Sequence, residues 1–412
     1  MNRRYMRFEE TAGVVLPDAA DPSHTYLLYL HIPFCEVLCP FCPFHRVEFQ
    51  ADRTQRYFRR LRDEIRRVTA SGYRFGELYV GGGTPTVLPE ELAETIELVR
   101  SLHPVAQVSV ETNPDDLADE RLGMLRQAGV NRLSVGVQSF DDTLLREMQR
   151  YDKFGSGAII RERIAAVSNV FDTLNVDMIF NFPHQDSGSV ERDLQILTEQ
   201  LSVDQVSWYP LMTARSTDRS MEKSLGKVNL SPEHGFYRQI AGAMTVAGYR
   251  RSSAWCFSRA AGMIDEYITG HEQYVGLGSG AFSYIDGTLY ASTFSINHYL
   301  RVAGGMSPMR CRRMGQRDQM RYYLLMFLFS GALDIEQAET RFAGRFARGL
   351  WPELTLLRLL RAVRRRGNRF ELTERGYYLW VMMMREFFIG VNNFRDEMRH
   401  SIRNELRPQQ EP

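Results

Sequence analysis

The strongest constraint on the fold is the regular alternation of short β-rich runs with helical patterns through the first half of the chain. Helical stretches such as residues 52–71, 117–128 and 190–201 separate the strand candidates. This alternation predicts βαβ units and a parallel α/β sheet. Six units favour a partial (β/α)6 barrel, with an open doubly wound sheet as the alternative. The six strand candidates are residues 26–31, 77–80, 107–110, 132–137, 173–180 and 205–209.

The second half of the chain has a different rhythm. A helix is predicted over residues 236–246, and the glycine-rich residues 276–284 indicate one further strand and turn. From about Gln316 the patterns are mainly helical, with a short wing at residues 369–372 and a packed helix at 380–391. The arginines at 364–366 are read as a solvated helix face. The predicted domains are an N-terminal extension (1–25), a barrel (26–300), a small helical, winged-helix-like C-terminal domain (301–403) and a disordered polar tail (404–412).

Charge and cysteine usage narrow the classes of function. Lys and Arg total 51 against 50 Asp and Glu, so the net charge of +1 exerts no long-range attraction on nucleic acid or an anionic membrane. Neither a secretory signal nor a run of membrane-spanning length is found, which predicts a cytoplasmic protein. Three of the five cysteines fall within eight residues. That crowding favours a metal centre in a reducing compartment over a disulfide framework.

The crowded cysteines are Cys35, Cys39 and Cys42, in a segment that directly follows the first strand candidate. Thiolates are the natural ligands of iron–sulfur clusters. Three ligands for four irons leave one iron open, as catalysis at a metal requires. Zinc, with His45 as a weak fourth ligand, and buried apolar cysteines are the alternatives. Parallel α/β folds build their sites at the carboxyl ends of strands, where this segment lies.

The Cys-x3-Cys-x2-Cys spacing resembles the signature of radical S-adenosylmethionine (SAM) enzymes. The flanking residues Tyr29 to Cys35, read as YLHIPFC, and Phe41 resemble one subgroup. That subgroup contains oxygen-independent coproporphyrinogen III oxidases, anaerobic haem-degrading enzymes, haem chaperones and class C radical SAM methyltransferases. The similarity runs from about residue 26 to residue 390. It implies a [4Fe–4S] cluster on the three cysteines, SAM as second cofactor, and an electron donor such as flavodoxin or ferredoxin.

The resemblance also implies residues that bind SAM. The segment Gly81-Gly-Gly-Thr-Pro-Thr86 is similar to the family's GGTP segment, which binds the amino group of SAM. Its backbone could approach a ligand closely and offer N–H groups, although a tight turn is the simpler reading. Glu111 resembles a carboxylate that contacts SAM. The full expected set is Tyr29, Phe41, Gly82, Gly83, Thr84, Glu111, Gln138 and Arg150.

A second SAM is implied by similarity to the two-SAM members of the family. Asp177, Phe282 and the region of Ala214 match its surroundings, with a structural hydrogen bond as the other reading of Asp177. Tyr209, at the end of the sixth strand candidate, and Arg259 are the catalytic candidates.

The departures from the family leave three functions open. Phe44 stands where the coproporphyrinogen oxidase has a further cysteine, and Asn181 replaces a glycine. The Asn-x-x-Tyr-Trp motif of the chaperones is missing. Three functions therefore compete: oxidative or radical modification of a tetrapyrrole-like or other carboxylated small molecule, methylation or cyclopropanation with a second SAM as carbon source, and haem binding by a chaperone. Cys256 is read mainly as a buried hydrophobe, and Cys311 has no assigned role.

Overall fold

A computed structural model describes residues 8–260, 271–301 and 309–405. The strands, numbered along the chain, are β1 (Glu9–Val14), β2 (Thr25–Ile32), β3 (Phe34–Cys35), β4 (Val47–Glu48), β5 (Arg74–Gly82), β6 (Gln107–Thr112), β7 (Arg132–Gln138), β8 (Thr173–Phe180), β9 (Gln205–Pro210), β10 (Arg250–Arg251), β11 (Cys256–Ser258), β12 (Tyr274–Leu277), β13 (Phe282–Ile285), β14 (Thr288–Ser292), β15 (Met309–Arg313), β16 (Ala332–Asp334), β17 (Val363–Arg366) and β18 (Arg369–Leu372).

The α-helices are numbered in the same way. They are α1 (Ala51–Ala70), α2 (Pro89–Leu102), α3 (Asp119–Ala128), α4 (Asp142–Glu147), α5 (Tyr151–Phe154), α6 (Gly157–Ala166), α7 (Ser187–Gln195), α8 (Arg215–Ser224), α9 (Glu233–Val246), α10 (Ile296–Arg301), α11 (Gln316–Phe329), α12 (Ile335–Arg341), α13 (Phe346–Gly349), α14 (Trp351–Leu359) and α15 (Glu374–Glu405).

One sheet of thirteen strands forms the centre of the molecule, in the order β1-β15-β14-β13-β12-β2-β5-β6-β7-β8-β9-β11-β10. All six predicted strands are present, adjacent and parallel, and β12 pairs in parallel with β2 as a seventh. In the part of the chain described here, edge strands β1 and β10 do not pair with each other, so this sheet is not hydrogen-bonded into a closed barrel. The prediction of a mostly parallel α/β sheet with covering helices is confirmed.

Helix α1 illustrates why the covering helices form. Its apolar residues recur at helical spacing, and the side chains of Tyr57, Phe58, Leu61 and Ile65 are fully buried against the sheet. Each such burial stabilises the fold by about 1.5–3 kcal/mol. The helix ends where Gly72 adopts a left-handed φ of 90°, a common stop signal for helices.

The C-terminal region is mainly helical, as predicted, and includes a small antiparallel sheet in the order β16-β18-β17. The predicted wing at 369–372 coincides with β18. The arginines at 364–366 are exposed, but they lie in β17 rather than on a helix face, because β17 pairs with β18. Helix α15 continues through the first two residues of the predicted tail, whose residues 406–412 lie outside the described part. The domain boundaries stay a prediction.

Helix α15 is fastened to the rest of the molecule by buried polar contacts. Arg385 forms an ion pair with Glu233 of α9, and both side chains are almost fully buried. The indole N–H of Trp380 donates to the Leu325 carbonyl at 2.9 Å. Near the end of the helix, Asp396 accepts hydrogen bonds from the backbone N–H and hydroxyl of Ser216. These contacts lay the helix across the carboxyl side of the parallel strands. Among the described helices, none is long and apolar enough to cross a membrane.

Candidate active site

A cavity of about 240 Å³ lies at the carboxyl ends of the parallel strands, where α/β folds place their sites. Its walls come from the loop after β3, the ends of β5 to β9, and helix α15. Most of the predicted site residues meet here. The predicted residues that line the cavity are Tyr29, Cys35, Cys39, Phe41, Cys42, Gly82, Gly83, Thr84, Glu111, Gln138, Arg150, Asp177 and Tyr209.

The three predicted cluster ligands lie on one loop, residues 35–46, called the cysteine loop below. The backbone N–H of Cys42 donates to the Cys39 carbonyl at 3.3 Å, which curls the loop. Arg46 donates to the carbonyl oxygens of Cys39 and Cys42, so the guanidinium ties the loop together. Cys35 and Cys39 are buried and Cys42 is half-buried. The loop therefore presents three thiols to one cavity.

The chemistry of these thiols fits a bound iron–sulfur cluster. Burial raises the pKa of the Cys35 thiol to about 12, so metal ligation would have to displace its proton. Thr84 Oγ1 and Arg150 Nη1 each lie 3.6 Å from a cysteine sulfur and can donate to a thiolate. In the described residues, no three His, Cys, Asp or Glu side chains converge on a single-ion position. Ligands at different corners of a cluster do not need to converge in that way.

The zinc alternative relied on His45, which does not line the cavity. Its Nε2 lies 3.2 Å from the Ser279 hydroxyl, and its ring packs edge-on against Phe294. His45 instead helps to orient Tyr29 through its own carbonyl, which accepts a hydrogen bond from His31 Nε2 at 2.9 Å. His31 Nδ1 is then left to accept the Tyr29 hydroxyl, also at 2.9 Å. Burial lowers the pKa of His31 to about 3, so this imidazole is neutral.

The glycine turn after β5 packs directly against the cysteine loop. A Cβ atom at Gly83 would lie 2.7 Å from the Phe34 carbonyl oxygen and 2.9 Å from Cys35 Sγ. Gly82 has a φ of 125°, a backbone conformation that residues with a side chain rarely adopt. The N–H groups of Gly82, Gly83 and Thr84 all donate within the protein. The expectation that this turn offers N–H groups to a ligand is therefore corrected. The amino group of SAM is itself a donor, so it would have to bind to the carbonyl oxygens of the turn.

Glu111 is held by this turn rather than solvated. Its carboxylate accepts the Gly82 N–H and the Tyr79 hydroxyl, both at 3.0 Å. A Cβ atom at Gly81 would lie 2.7 Å from the same carboxylate, so glycine is needed there as well. Burial raises the pKa of Glu111. A ligand with hydroxyl or ammonium donors would satisfy this carboxylate.

Gln138 and Arg150 reach the cavity from the end of β7 and the start of α5. The pairing of β7 with β8 shifts by one residue between Gly136 and Gln138, and Gln138 has a left-handed φ of 76°. Bulges of this kind re-aim side chains beside active sites. The Arg150 guanidinium donates to the Gly136 carbonyl at 2.5 Å and to Asn113 Oδ1 at 3.3 Å. Its buried Nε lacks a partner among the described atoms.

Asp177 lies deeper in the cavity, within β8 rather than at its end. Its carboxylate accepts hydrogen bonds from Ser134 Oγ at 2.8 Å and Asn175 Nδ2 at 2.7 Å. Burial raises its pKa to about 7, and nearby Glu111 adds to the shift. Tyr209 lines the same region from β9, with its ring 5.4 Å from that of Trp255. Both the structural and the site reading of Asp177 therefore have a geometric basis.

Three predicted site residues do not line the cavity. Phe282 packs instead against Phe394 of α15, with ring centroids 5.9 Å apart. Ala214 is buried just before α8. Arg259 follows β11, which runs antiparallel to β9, so the chain has returned to the opposite end of the sheet. There its guanidinium covers the Tyr249 ring at 4.9 Å. This placement corrects the expectation that Arg259 acts on the substrate.

Sequence reasoning missed the residues that α15 contributes. Phe388, Asn392 and Arg395 line the cavity and are spaced four and three residues apart, on one face of the helix. The signal was available: two polar residues interrupt a stretch whose neighbours Val391 and Phe394 are apolar and buried. Asn392 and Arg395 are themselves only 2% and 7% exposed.

Comparison with known proteins identifies the family. Residues 29–197 match the model of the radical SAM superfamily. A protein of Bacillus subtilis named heme chaperone HemW is 32% identical over 284 residues, which cover 66% of this chain and 74% of that protein. The chain belongs to the radical SAM superfamily. Membership implies a [4Fe–4S] cluster and SAM as cofactors, and the thiols and turn described above fit them.

Other radical SAM relatives extend over more of the chain or carry other names. The heme chaperone HemW of Lactococcus lactis is 27% identical and covers 89% of this chain and 98% of its own. The oxygen-independent coproporphyrinogen III oxidase of Bradyrhizobium diazoefficiens is 35% identical over 46% of this chain and 43% of its own. The coproporphyrinogen III oxidase (HemN) of Escherichia coli superposes with a TM-score of 0.75 at 23% identity, over 90% of this chain and 92% of its own. That likeness confirms the fold.

Proposed function

We propose that this chain cleaves SAM reductively at a [4Fe–4S] cluster and uses the resulting radical to modify a tetrapyrrole-like organic substrate. The observation that carries the proposal is the cavity in which three thiols face Glu111, Gln138 and Arg150. When bound, the cluster supplies the electron that splits SAM into methionine and a 5′-deoxyadenosyl radical. A flavodoxin or ferredoxin is the proposed electron donor.

The residues around the thiols have distinct tasks in this proposal. Cys35, Cys39 and Cys42 hold the cluster. The hydroxyl of Thr84 and the guanidinium of Arg150 donate to ligand sulfurs, which fixes the thiolates and moderates their charge. The crowded glycine turn sets the distance between the cluster and the amino acid part of SAM. Positioning of this kind is the main contribution of the protein, because the cofactors carry the chemistry.

The polar groups beyond the thiols orient the two organic ligands. Glu111 accepts hydrogen bonds from hydroxyl or ammonium groups of SAM, and Gln138 and Tyr29 line the same part of the cavity. Asp177 and Tyr209 lie further along the cavity and face the substrate. With a pKa near 7, Asp177 can hold or release a proton close to neutral pH. Helix α15 covers the cavity and limits the entry of water and oxygen.

The proposed substrate class draws on the relatives. The names of the similar proteins refer to heme, to coproporphyrinogen and, for an Escherichia coli protein 28% identical to this chain, to anaerobilin synthase. Phe44 lines the cavity where the oxidase has a cysteine, and its ring is 44% exposed. An exposed aromatic ring in that place offers an apolar face rather than a thiol. The substrate contacts of this chain therefore differ from those of the oxidase.

Anaerobic turnover tests the proposal. The purified chain is reconstituted with iron and sulfide, reduced with dithionite, and incubated with SAM and single tetrapyrroles, with Cys39→Ala as the control. We expect 5′-deoxyadenosine to form only with the intact cysteine loop, and a tetrapyrrole to raise its rate and change mass. A reconstituted, reduced protein that forms no 5′-deoxyadenosine would contradict the proposed function.

The haem chaperone is the second candidate, and one comparison favours it: the Lactococcus lactis relative of that name is covered over 98% of its length. A chaperone would bind haem without substrate-dependent formation of 5′-deoxyadenosine. Carbon transfer would instead release S-adenosylhomocysteine. It has weaker support, because Asp177 lines the cavity while Phe282 and Ala214 do not.

A further inference from the structure

The wall that α15 contributes to the cavity is unusual in its chemistry. Arg395 and Asn392 lie on α15 beside the buried apolar residues Val391 and Phe394, and both are nearly fully buried. Placing a guanidinium and an amide in such a position is costly unless hydrogen bonds or a bound ligand compensate. The strand ends and the thiols line the same cavity. The helix therefore presents a cation to the cavity that the proposed cofactor residues line.

The guanidinium of Arg395 is held in a defined orientation. Its Nη1 donates to Asn392 Oδ1 at 2.9 Å. The guanidinium carbon lies 5.2 Å from the ring centroid of Phe44 and 5.7 Å from that of Phe282. Contacts with aromatic rings stabilise a guanidinium and restrict the orientation of its plane. A planar group fixed in this way is suited to bidentate binding of a carboxylate.

Three other cations line the cavity, and the first of them, Arg46, donates to the carbonyl oxygens of Cys39 and Cys42. Lys153 forms ion pairs with Glu36 and with Asp115. Arg150 donates to the Gly136 carbonyl and to Cys39 Sγ. Arg395 differs from these three in that it stands on α15, next to the half-exposed ring of Phe44 in the cysteine loop. A cation beside an apolar aromatic face matches a ligand that combines a carboxylate with a flat conjugated ring.

We propose that Arg395, oriented by Asn392, binds a carboxylate of the tetrapyrrole substrate while the ring of Phe44 contacts its macrocycle. This inference rests on the proposed function and adds a specificity-determining residue to it. The carboxylate anchors the substrate on α15, so that its reacting part is turned toward the thiol side of the cavity. A tetrapyrrole whose carboxylates are esterified lacks this anchor.

Equilibrium binding of coproporphyrin III, followed by its fluorescence, tests the inference on the reconstituted full chain. The probes are the free acid and its tetramethyl ester, in one buffer with a fixed fraction of dimethyl sulfoxide. We expect the wild type to bind the acid roughly ten- to hundredfold more tightly than the ester, as expected for a charge-assisted hydrogen bond. Arg395→Gln should lose this preference, and Arg395→Lys should keep part of it. Arg375→Gln, at an exposed position of the same helix, is the matched control and should bind like the wild type.

The outcomes separate this inference from the proposed function. Equal wild-type affinity for acid and ester would overturn it even if no variant folded, and so would an Arg395→Gln protein that retains the preference for the acid. A wild type that forms 5′-deoxyadenosine but binds neither probe would overturn the role of Arg395 and leave SAM cleavage standing. Conversely, a wild type that shows the acid preference without cleaving SAM would support Arg395 and contradict the proposed enzyme.

Discussion

A single methyl group at Gly83 should uncouple the glycine turn from the cysteine loop. The added Cβ would lie 2.7 Å from the Phe34 carbonyl oxygen and 2.9 Å from Cys35 Sγ, where ordinary contacts begin at 3.4 Å. Neither atom can rotate away, because the carbonyl accepts the Thr84 N–H at 2.7 Å and the sulfur is a proposed cluster ligand. The turn and the loop would have to separate by up to 0.7 Å.

Overpacking of this size costs about 1–3 kcal/mol. If the turn and the loop separate by distorting the SAM site, this cost appears as weaker binding. The affinity of Gly83→Ala for SAM then falls roughly 5- to 150-fold. Gly83 is a cleaner probe than Gly82, whose φ of 125° would add backbone strain to any substitution. The assay is anaerobic calorimetry with SAM after iron, sulfide and cluster absorbance have been measured.

The control is Gly123→Ala in α3, where the added methyl would have no neighbour within 4 Å. That variant should bind SAM like the wild type and gain about 0.5–1 kcal/mol of helix stability. If Gly83→Ala bound both cluster and SAM like the wild type, the close approach of turn and loop would have no part in building the site.

Three further predictions concern the cluster, a carboxyl group and the C-terminal helix. Alanine in place of any cysteine among the three proposed ligands should abolish the cluster absorbance, whereas Cys256→Ala should preserve it; loss in the latter would refute the ligand assignment. Because the folded-state pKa of Asp177 is raised to about 7, the folded protein holds this proton more tightly than the unfolded chain does. The free energy of unfolding should therefore fall as the pH rises from about 4 to about 7, by roughly 4 kcal/mol at most. In urea titrations across that range, Asp177→Asn should show a shallower fall; an unchanged pH profile would count against the raised pKa. Replacing Glu233 or Arg385 alone by an apolar residue should cost about 3–5 kcal/mol, and replacing both should cost less than the sum. Strict additivity in urea unfolding would show that the pair does not act as a buried ion pair.

Much of the fold could be predicted because it repeats a simple pattern. Each of the six predicted parallel strands is found within a few residues of its expected bounds, and residues 173–180 coincide with β8. Periodicity also placed α1, which was predicted at residues 52–71 and spans Ala51–Ala70. The arginines at 364–366 were misplaced because three charged residues give no period, and only the pairing of β17 with β18 defines them as a strand. The parallel strand β12 joins β2 across more than two hundred residues, a pairing that local sequence does not encode.

The residues of the candidate site likewise fall into those that the sequence could place and those that it could not. Residues at strand ends, such as Glu111 and Gln138, could be placed because the carboxyl ends of parallel strands meet at one edge. Arg259 could not, since an antiparallel strand reverses the direction of the chain just before it. Arg395 was missed because its place depends on where α15 lies, which is set by tertiary contacts such as those between Asp396 and Ser216. Asn181 was noted as a substitution for glycine, and its φ of 72° gives the reason: that backbone conformation suits glycine or asparagine.

The location of α15 has a consequence for the order in which the molecule is assembled. The cysteine loop is synthesised well before Asn392 and Arg395, which lie more than three hundred residues further along the chain. N-terminal regions begin to fold during synthesis. The cavity therefore lacks one wall until α15 has been synthesised and has docked. Docking of α15 then completes the cavity around the three thiols.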